Sequence, residues 1–106
     1  MASGDKKLSN HCATGEQTAT GSAITIDCGF KPKHVLIMNT TNKSTGMWND
    51  SMPNAAVYKT IDSGVGTTDI SYATSNGITP LFNGFTIGTD AAINNNNDVL
   101  FWTAWK

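Results

Sequence analysis

The C-terminal segment 78–106 places the tightest limits on the fold of this 106-residue chain. Two short apolar runs, Pro80–Phe82 and Phe85–Ile87, flank the dipeptide Asn83-Gly84. This arrangement predicts a β-hairpin, because Asn and Gly tolerate the positive φ angles of a two-residue turn. The segment ends in the aromatic run Val99–Trp105. Since the most aromatic strand comes last, we expect it to lie in the core or in an interface.

Upstream of the hairpin, the chain shows the patterns of further short strands. Apolar and polar residues alternate in Ser22–Cys28, which predicts a half-buried strand. The unbroken apolar run Val35–Met38 predicts a strand buried on both faces. Together with segments 45–49 and 70–73, the hairpin and the final run, this gives about seven short strands separated by turn signals. The pattern predicts an all-β fold, a compact antiparallel β-sandwich or small barrel.

The length of the chain indicates a single domain. Residues 1–21 are polar and lack apolar periodicity, which predicts a flexible N-terminal arm that is either disordered or ordered by a partner. Residues 22–106 then form the single β domain. The segment 50–61 stays ambiguous. Ser51 and Pro53 suit the start of a short helix, whereas Val57 and the residues after it favour a strand.

The composition argues against several functional classes. Charged residues make up 14% of the chain and all seven cationic side chains are lysines, in a chain of net charge −1. Without arginine or a basic stripe, we expect no nucleic-acid binding. No apolar stretch is long enough to span a membrane, and Met1–Ser9 lacks the apolar region of a signal peptide. We therefore expect synthesis in the cytosol, where Cys12 and Cys28 would remain reduced.

No residue pattern in the chain predicts catalysis or a cofactor. The sequence has no G-x-S-x-G motif, no paired carboxylates and no Gly-rich phosphate loop, so we expect a protein that is not an enzyme and has no catalytic residues. A Cys–His nucleophile pair is the remaining weak alternative. The spacing of His11, Cys12, Cys28 and His34 matches no zinc template, so we expect no metal.

The three tryptophans are the best candidates for contact with a partner. Trp102 and Trp105 have opposite parity in the final strand, so they should lie on opposite faces. One can fill the core, and the other can then contact another chain or serve as a platform for a saccharide. The candidate partner-binding residues are Trp48, Trp102 and Trp105, together with Lys6 and Lys7 of the arm.

Two stretches of the chain resemble small virion proteins of tailed bacteriophages. The first is G-F-K-P-K-H-V-L-I-M-N at 29–39, followed by the aromatic residue in Met47-Trp48. The second is G-F-T-I-G-T-D-A-A-I-N at 84–94, followed by the W-x-A ending of Trp102–Ala104. In that family, an early G-F-x-P strand and a late G-F-x-I-G-x-D strand pair recur. The resemblance extends over about residues 22–106.

The resemblance implies a compact β-fold that assembles as a small oligomer, often a trimer, on a larger lattice. It implies no catalytic residues. The leading hypothesis is a structural virion protein, made in the host cytoplasm, that decorates the capsid and clamps neighbouring major capsid subunits. Its contacts would be the arm and an outer aromatic patch. The alternative hypothesis is a tail or fibre-associated module that binds a receptor or glycan through exposed tryptophans.

Overall fold

The computed structural model describes residues 5–8, 11–62, 64 and 66–106, and its regular elements are all β-strands. The strands are β1 (Asp5–Leu8), β2 (Cys12–Thr18), β3 (Ile24–Asp27), β4 (His34–Asn39), β5 (Ser44–Asn49), β6 (Ala56–Asp62), β7 (Thr68–Leu81), β8 (Gly84–Ile87) and β9 (Val99–Trp105). Every pairing between them is antiparallel. The predicted all-β antiparallel fold is therefore confirmed, with nine strands in the described part instead of about seven.

All nine strands belong to one sheet, in the order β1-β2-β9-β4-β5-β6-β7-β8-β3. The long strand β7 joins its two parts, because residues 68–73 pair with β6 and residues 78–81 pair with β8. Between these two stretches the pairing with β6 is interrupted, because Val57 pairs with Ala73 whereas its neighbour Ala56 pairs with Ile78. Asn76, which lies in the interruption, adopts a positive φ of 63°. Such an irregularity bends a strand and increases its twist. The sheet accordingly curls into a half-barrel, a shape within the predicted range of sandwich and small barrel.

The core lies on the concave side of this curled sheet. Phe85 of β8 and Trp102 of β9 meet edge to face, with ring centroids 5.5 Å apart, although their strands are distant in the sheet order. The larger buried apolar side chains are Ile24, Ile26, Phe30, Val35, Ile37, Trp48, Val57, Ile78, Phe85, Ile87, Ile93, Leu100 and Trp102. Burial of each such side chain contributes about 1.5–3 kcal/mol of transfer free energy. This closure of the two sheet ends over one core holds the fold together.

Alternation along the strands confirms the predicted parity of the last strand. Trp102 is buried in the core, whereas Trp105 is 36% exposed on the opposite face. In β4, Val35 and Ile37 are buried, but Met38 is 41% exposed. The predicted burial of β4 on both faces is therefore met on one face only, because no second layer from the described part of this chain covers the convex side of the sheet.

The N-terminal segment differs from its expected role as an arm outside the β domain. Cys12–Thr18 forms β2 and pairs with β9 along its whole length, from Cys12↔Trp105 to Thr18↔Val99. Its inward positions hold the small residues Ala13 and Gly15, opposite Ala104 and Trp102. Small residues leave room for the Trp102 ring, but they do not produce an alternation of large apolar and polar residues in the sequence. A strand was therefore not predicted for this segment. Residues 1–4, 9 and 10 of the expected arm lie outside the described residues.

The ambiguous segment 50–61 forms a turn followed by β6. The suggested short helix is absent, and the second half of the segment is a strand as its residues favoured. Trp48 Nε1 donates a hydrogen bond of 3.1 Å to the carbonyl of Pro53, which fixes the turn. Ala55 then takes a φ of 69°, a conformation outside the helical region. Val57 follows on the concave side and is fully buried. Burial against the core therefore decides between the two local preferences.

The predicted β7–β8 hairpin is present, but its turn lies one residue earlier than expected. Leu81 pairs with Gly84, so Phe82 and Asn83 are the two turn residues. Gly84 does not take a positive φ. Instead, a Cβ atom at this position would collide with the backbone carbonyl oxygen of Ile26 in β3. The glycine is required for the close approach of two strands rather than for the turn.

Candidate interaction surface

The convex side of the sheet carries two rows of side chains that cross six strands, from β2 to β7. Residues opposite one another in neighbouring strands lie side by side on the same face. One row consists of Thr14, Thr103, Leu36, Met47, Tyr58 and Tyr72, and the other of Glu16, Phe101, Met38, Thr45, Thr60 and Ile70. We call these twelve residues the outer face.

The outer face is poor in charge and rich in large apolar side chains. Ile70 is 64% exposed and Tyr72 is 52% exposed, and Glu16 is the one charged residue of the twelve. The solvent side of an antiparallel sheet is usually polar. The centres of protein interfaces, by contrast, are depleted in charge and enriched in aromatic residues and methionine. The outer face thus has the composition of a surface that another protein covers.

The relief of the outer face suits the insertion of side chains from a partner. A depression of about 340 Å³ lies over β2, β9 and β4, with Glu16, Met38 and Phe101 in its lining. A second depression of about 270 Å³ has Tyr58 and Tyr72 in its lining. Depressions of this kind allow a partner to interlock with the sheet, which a flat surface would not.

The structure separates the three tryptophans that the sequence suggested as partner contacts. Trp48 and Trp102 are buried in the core, because both occupy concave positions of their strands. Trp105 alone reaches the surface, where its ring lies against that of His34 at a centroid distance of 4.6 Å. Contact with a partner through a tryptophan ring is therefore limited to Trp105, which lies near Thr103 at the border of the outer face.

The two lysines proposed as partner contacts lie on the edge strand β1. Lys6 is in register with Gly15, and Lys7 is in register with Thr14 of the outer face. Their backbone positions therefore continue the sheet beyond β2, next to one end of the outer face. Lys7 of β1 pairs with β2 from one side, and Trp105 of β9 pairs with β2 from the other side. The two residues therefore lie on either side of β2 and are not paired with each other.

The carboxylates that flank the Asn-rich loop have internal partners. Asp90 accepts a 2.6 Å contact from the Lys59 ammonium, and Asp98 accepts a 2.8 Å hydrogen bond from Asn39 Nδ2. Both carboxylates therefore make contacts within the domain.

Within the described ranges, no group of three or more His, Cys, Asp or Glu side chains could hold a metal ion. The described part of the chain also has no helix that could span a membrane.

The four residues considered for a metal site lie in different environments. Cys28 is buried, and its thiol donates to the carbonyl of Phe30 over 3.2 Å. Cys12 is half-buried at the start of β2, and neither thiol forms a disulfide. In the sheet, Trp105 stands between Cys12 and His34. This arrangement separates the candidate ligands instead of gathering them.

Most of the outer face was not predicted from the sequence. The local signals were the strand predicted over 70–73 and the parity of the last strand. Tyr58 belongs to the segment whose structure was ambiguous, and Met38 was expected to be buried. The assembly of these residues into two rows depends on the register of six strands, which a single sequence does not contain.

No protein-family model, curated protein or solved structure was found to match this chain. Its function is therefore inferred from the residues of the outer face and from the resemblance of the sequence motifs.

Proposed function

We propose that this protein is a non-enzymatic structural component of a phage virion, which decorates the capsid and stabilises it by clamping neighbouring major capsid subunits. The observation that carries this proposal is the outer face, with its large exposed apolar side chains and its single carboxylate. The resemblance of 29–39 and 84–94 to virion proteins supplies the identity of the partner. The same resemblance favours a homo-oligomer, with a trimer as its size.

The outer face suits a clamp for two physical reasons. Its contact would desolvate one charged group, Glu16, so little polar hydration is lost. The contact residues also stand on paired strands, whose backbone positions are fixed before binding. A preorganised surface loses less conformational entropy on association than a flexible one.

Stabilisation of the shell then follows from selective binding. A protein that binds assembled subunits more tightly than separated ones shifts the equilibrium toward the assembled state. An oligomer presents several copies of the outer face at once, so modest affinity at each copy gives high avidity. A clamp of this kind needs no chemical step.

Charge placed on the outer face should weaken binding to the shell. We expect Phe101→Glu and Tyr72→Glu each to weaken the free energy of binding to mature shells by about 2 kcal/mol, which is roughly thirtyfold in affinity. Both side chains are exposed, so the variants should fold normally. Binding isotherms from sedimentation of purified shells, with circular dichroism as the folding check, give the measurement.

Phe82→Glu is the matched control, because Phe82 is exposed on the β7–β8 turn and does not belong to the outer face. This variant should bind shells as well as the parent protein. Equal binding by the parent and both outer-face variants would contradict the proposal, and so would an equal loss of binding in the control.

The tail or fibre-associated glycan-binding module is the less favoured function. That hypothesis used three tryptophans as stacking platforms, and the burial of Trp48 and Trp102 leaves Trp105 as the one exposed ring among them. The capsid proposal uses a far larger set of exposed residues. We therefore place the assembly contact on the outer face.

A further inference from the structure

A second surface is formed where several connections between strands meet. The turn between β3 and β4, the connection between β5 and β6, the β7–β8 turn and Lys106 surround a groove of about 800 Å³. This size lies within the range of about 300–1,000 Å³ that is typical of small-ligand sites. We call this site the lysine groove, and its exposed lining residues are Lys31, Lys33, Asp50, Asn54, Phe82 and Lys106.

The lysine groove concentrates positive charge in a chain of net charge −1. It holds three of the seven lysines and one of the eight acidic side chains, Asp50. Backbone hydrogen bonds fix the chain segments that carry these residues. The Lys33 N–H donates to the Trp105 carbonyl over 2.7 Å, and the Asp50 N–H donates to the Lys33 carbonyl over 2.9 Å. The strand ends thus hold the backbone that carries these side chains, and the excess of positive charge favours an anionic ligand.

One wall of the groove is an aromatic ring that is almost fully exposed. Phe82 is 90% exposed at the tip of the β7–β8 hairpin. The adjacent Asn83 anchors this tip, because its carbonyl accepts from the N–H groups of Cys28 and Gly29 at 3.1 Å each. Its side-chain amide also donates to the Asp27 carboxylate over 3.1 Å. The Phe82 ring therefore stands on a turn that is held by hydrogen bonds, and its exposed face is open to contact with a ligand.

We propose that the lysine groove binds an acidic saccharide. The ammonium groups of Lys31, Lys33 and Lys106 donate to the sugar carboxylate. Asp50 and Asn54 accept hydrogen bonds from its hydroxyl groups. The electron-rich face of an aromatic ring attracts polarised C–H bonds, so Phe82 stacks on the apolar face of the sugar.

An acidic peptide fits the same groove less well. Asp50 repels a run of carboxylates, whereas it accepts readily from hydroxyl donors. A carboxylate carried on a hydroxylated ring uses every kind of group in the lining. The lysine groove shares no residue with the outer face, so this proposal does not rest on shell binding.

Titration of the full-length protein by ¹H–¹⁵N NMR tests the inference with two acidic saccharides, 3′-sialyllactose and a hyaluronan tetrasaccharide. Lactose and chitotetraose are the neutral counterparts. We expect the amide signals of Lys33, Asp50 and Phe82 to shift with at least one acidic saccharide, and the neutral sugars to bind about tenfold more weakly. Lys33→Gln and Phe82→Ala should each weaken binding by roughly threefold to tenfold.

Lys43→Gln and Tyr72→Ala are the matched controls, since both residues are exposed and lie outside the groove. They should leave saccharide binding unchanged. The inference is overturned if neither acidic saccharide shifts the groove amides, if neutral sugars bind equally well, or if the groove variants bind like the controls. Tighter binding of hexaglutamate than of either saccharide would also overturn it and identify an acidic protein segment as the ligand. None of these results bears on shell binding, so the two proposals can fail separately.

Discussion

Replacement of Gly84 by alanine should lower the free energy of unfolding by about 3 kcal/mol or more. The new Cβ atom would lie well inside contact distance of the Ile26 carbonyl oxygen, and 3.1 Å from the Cα atom of Asp27. Both neighbours are backbone atoms of β3, so no side chain can rotate away. The strain has to be relieved by separating β8 from β3, which breaks the ladder from Ile24↔Ile87 to Asp27↔Gly84.

Urea unfolding of Gly84→Ala and of Gly64→Ala measures this effect against a suitable control. Gly64 has a φ of 83°, and a Cβ atom added there would have no neighbour within 4 Å, so alanine meets backbone strain without a collision. That strain costs about 1 kcal/mol. If Gly84→Ala were no less stable than Gly64→Ala, β3 and β8 could not be packed as closely as described.

Replacement of Asn94 by aspartate should destabilise the fold by about 3 kcal/mol. The Asn94 side chain is buried, and its Nδ2 donates to the carbonyls of Ser22 and Gly88 over 2.7 and 2.8 Å. Its Oδ1 accepts from the N–H groups of Thr20 and Gly21, each over 3.1 Å. A carboxylate keeps the acceptor role but loses both donors. It then sets a charged oxygen against the carbonyl oxygens of Ser22 and Gly88.

Asn96→Asp makes the same chemical change at an exposed position of the same loop. We expect it to alter stability by less than about 0.5 kcal/mol. The comparison uses the unfolding midpoints and slopes of both variants in urea at neutral pH. Equal effects at the two positions would show that the loop is not tied to residues 20–22 through Asn94.

The sequence was informative about strands whose apolar period is carried by large residues. Ile24 and Ile26 mark β3, and the parity of Trp102 and Trp105 correctly separates a core residue from a surface residue. By contrast, β2 turns Ala13 toward the core and Gly15 toward Trp102, so its inner side has no hydrophobic signal. A strand of that kind is recognised only from its pairing partner.

Other features depended on contacts between residues distant in the chain. Asn94 belongs to a tract of four asparagines that indicates a loop, and nothing local distinguishes the buried residue from its exposed neighbours. The outer face likewise depends on strand register, since Tyr58 meets Tyr72 only after the bulge in β7 has set the pairing. The lysine groove combines residues from four separate parts of the chain.

A three-dimensional reconstruction of the virion, at a resolution that shows strands, tests the proposed role of the outer face. Density for the half-barrel should lie on the shell, with Phe101 and Tyr72 turned toward major capsid subunits. The β7–β8 turn with Phe82 should lie away from that contact. Density at the tail instead of the shell, or an outer face turned toward solvent, would contradict the clamp.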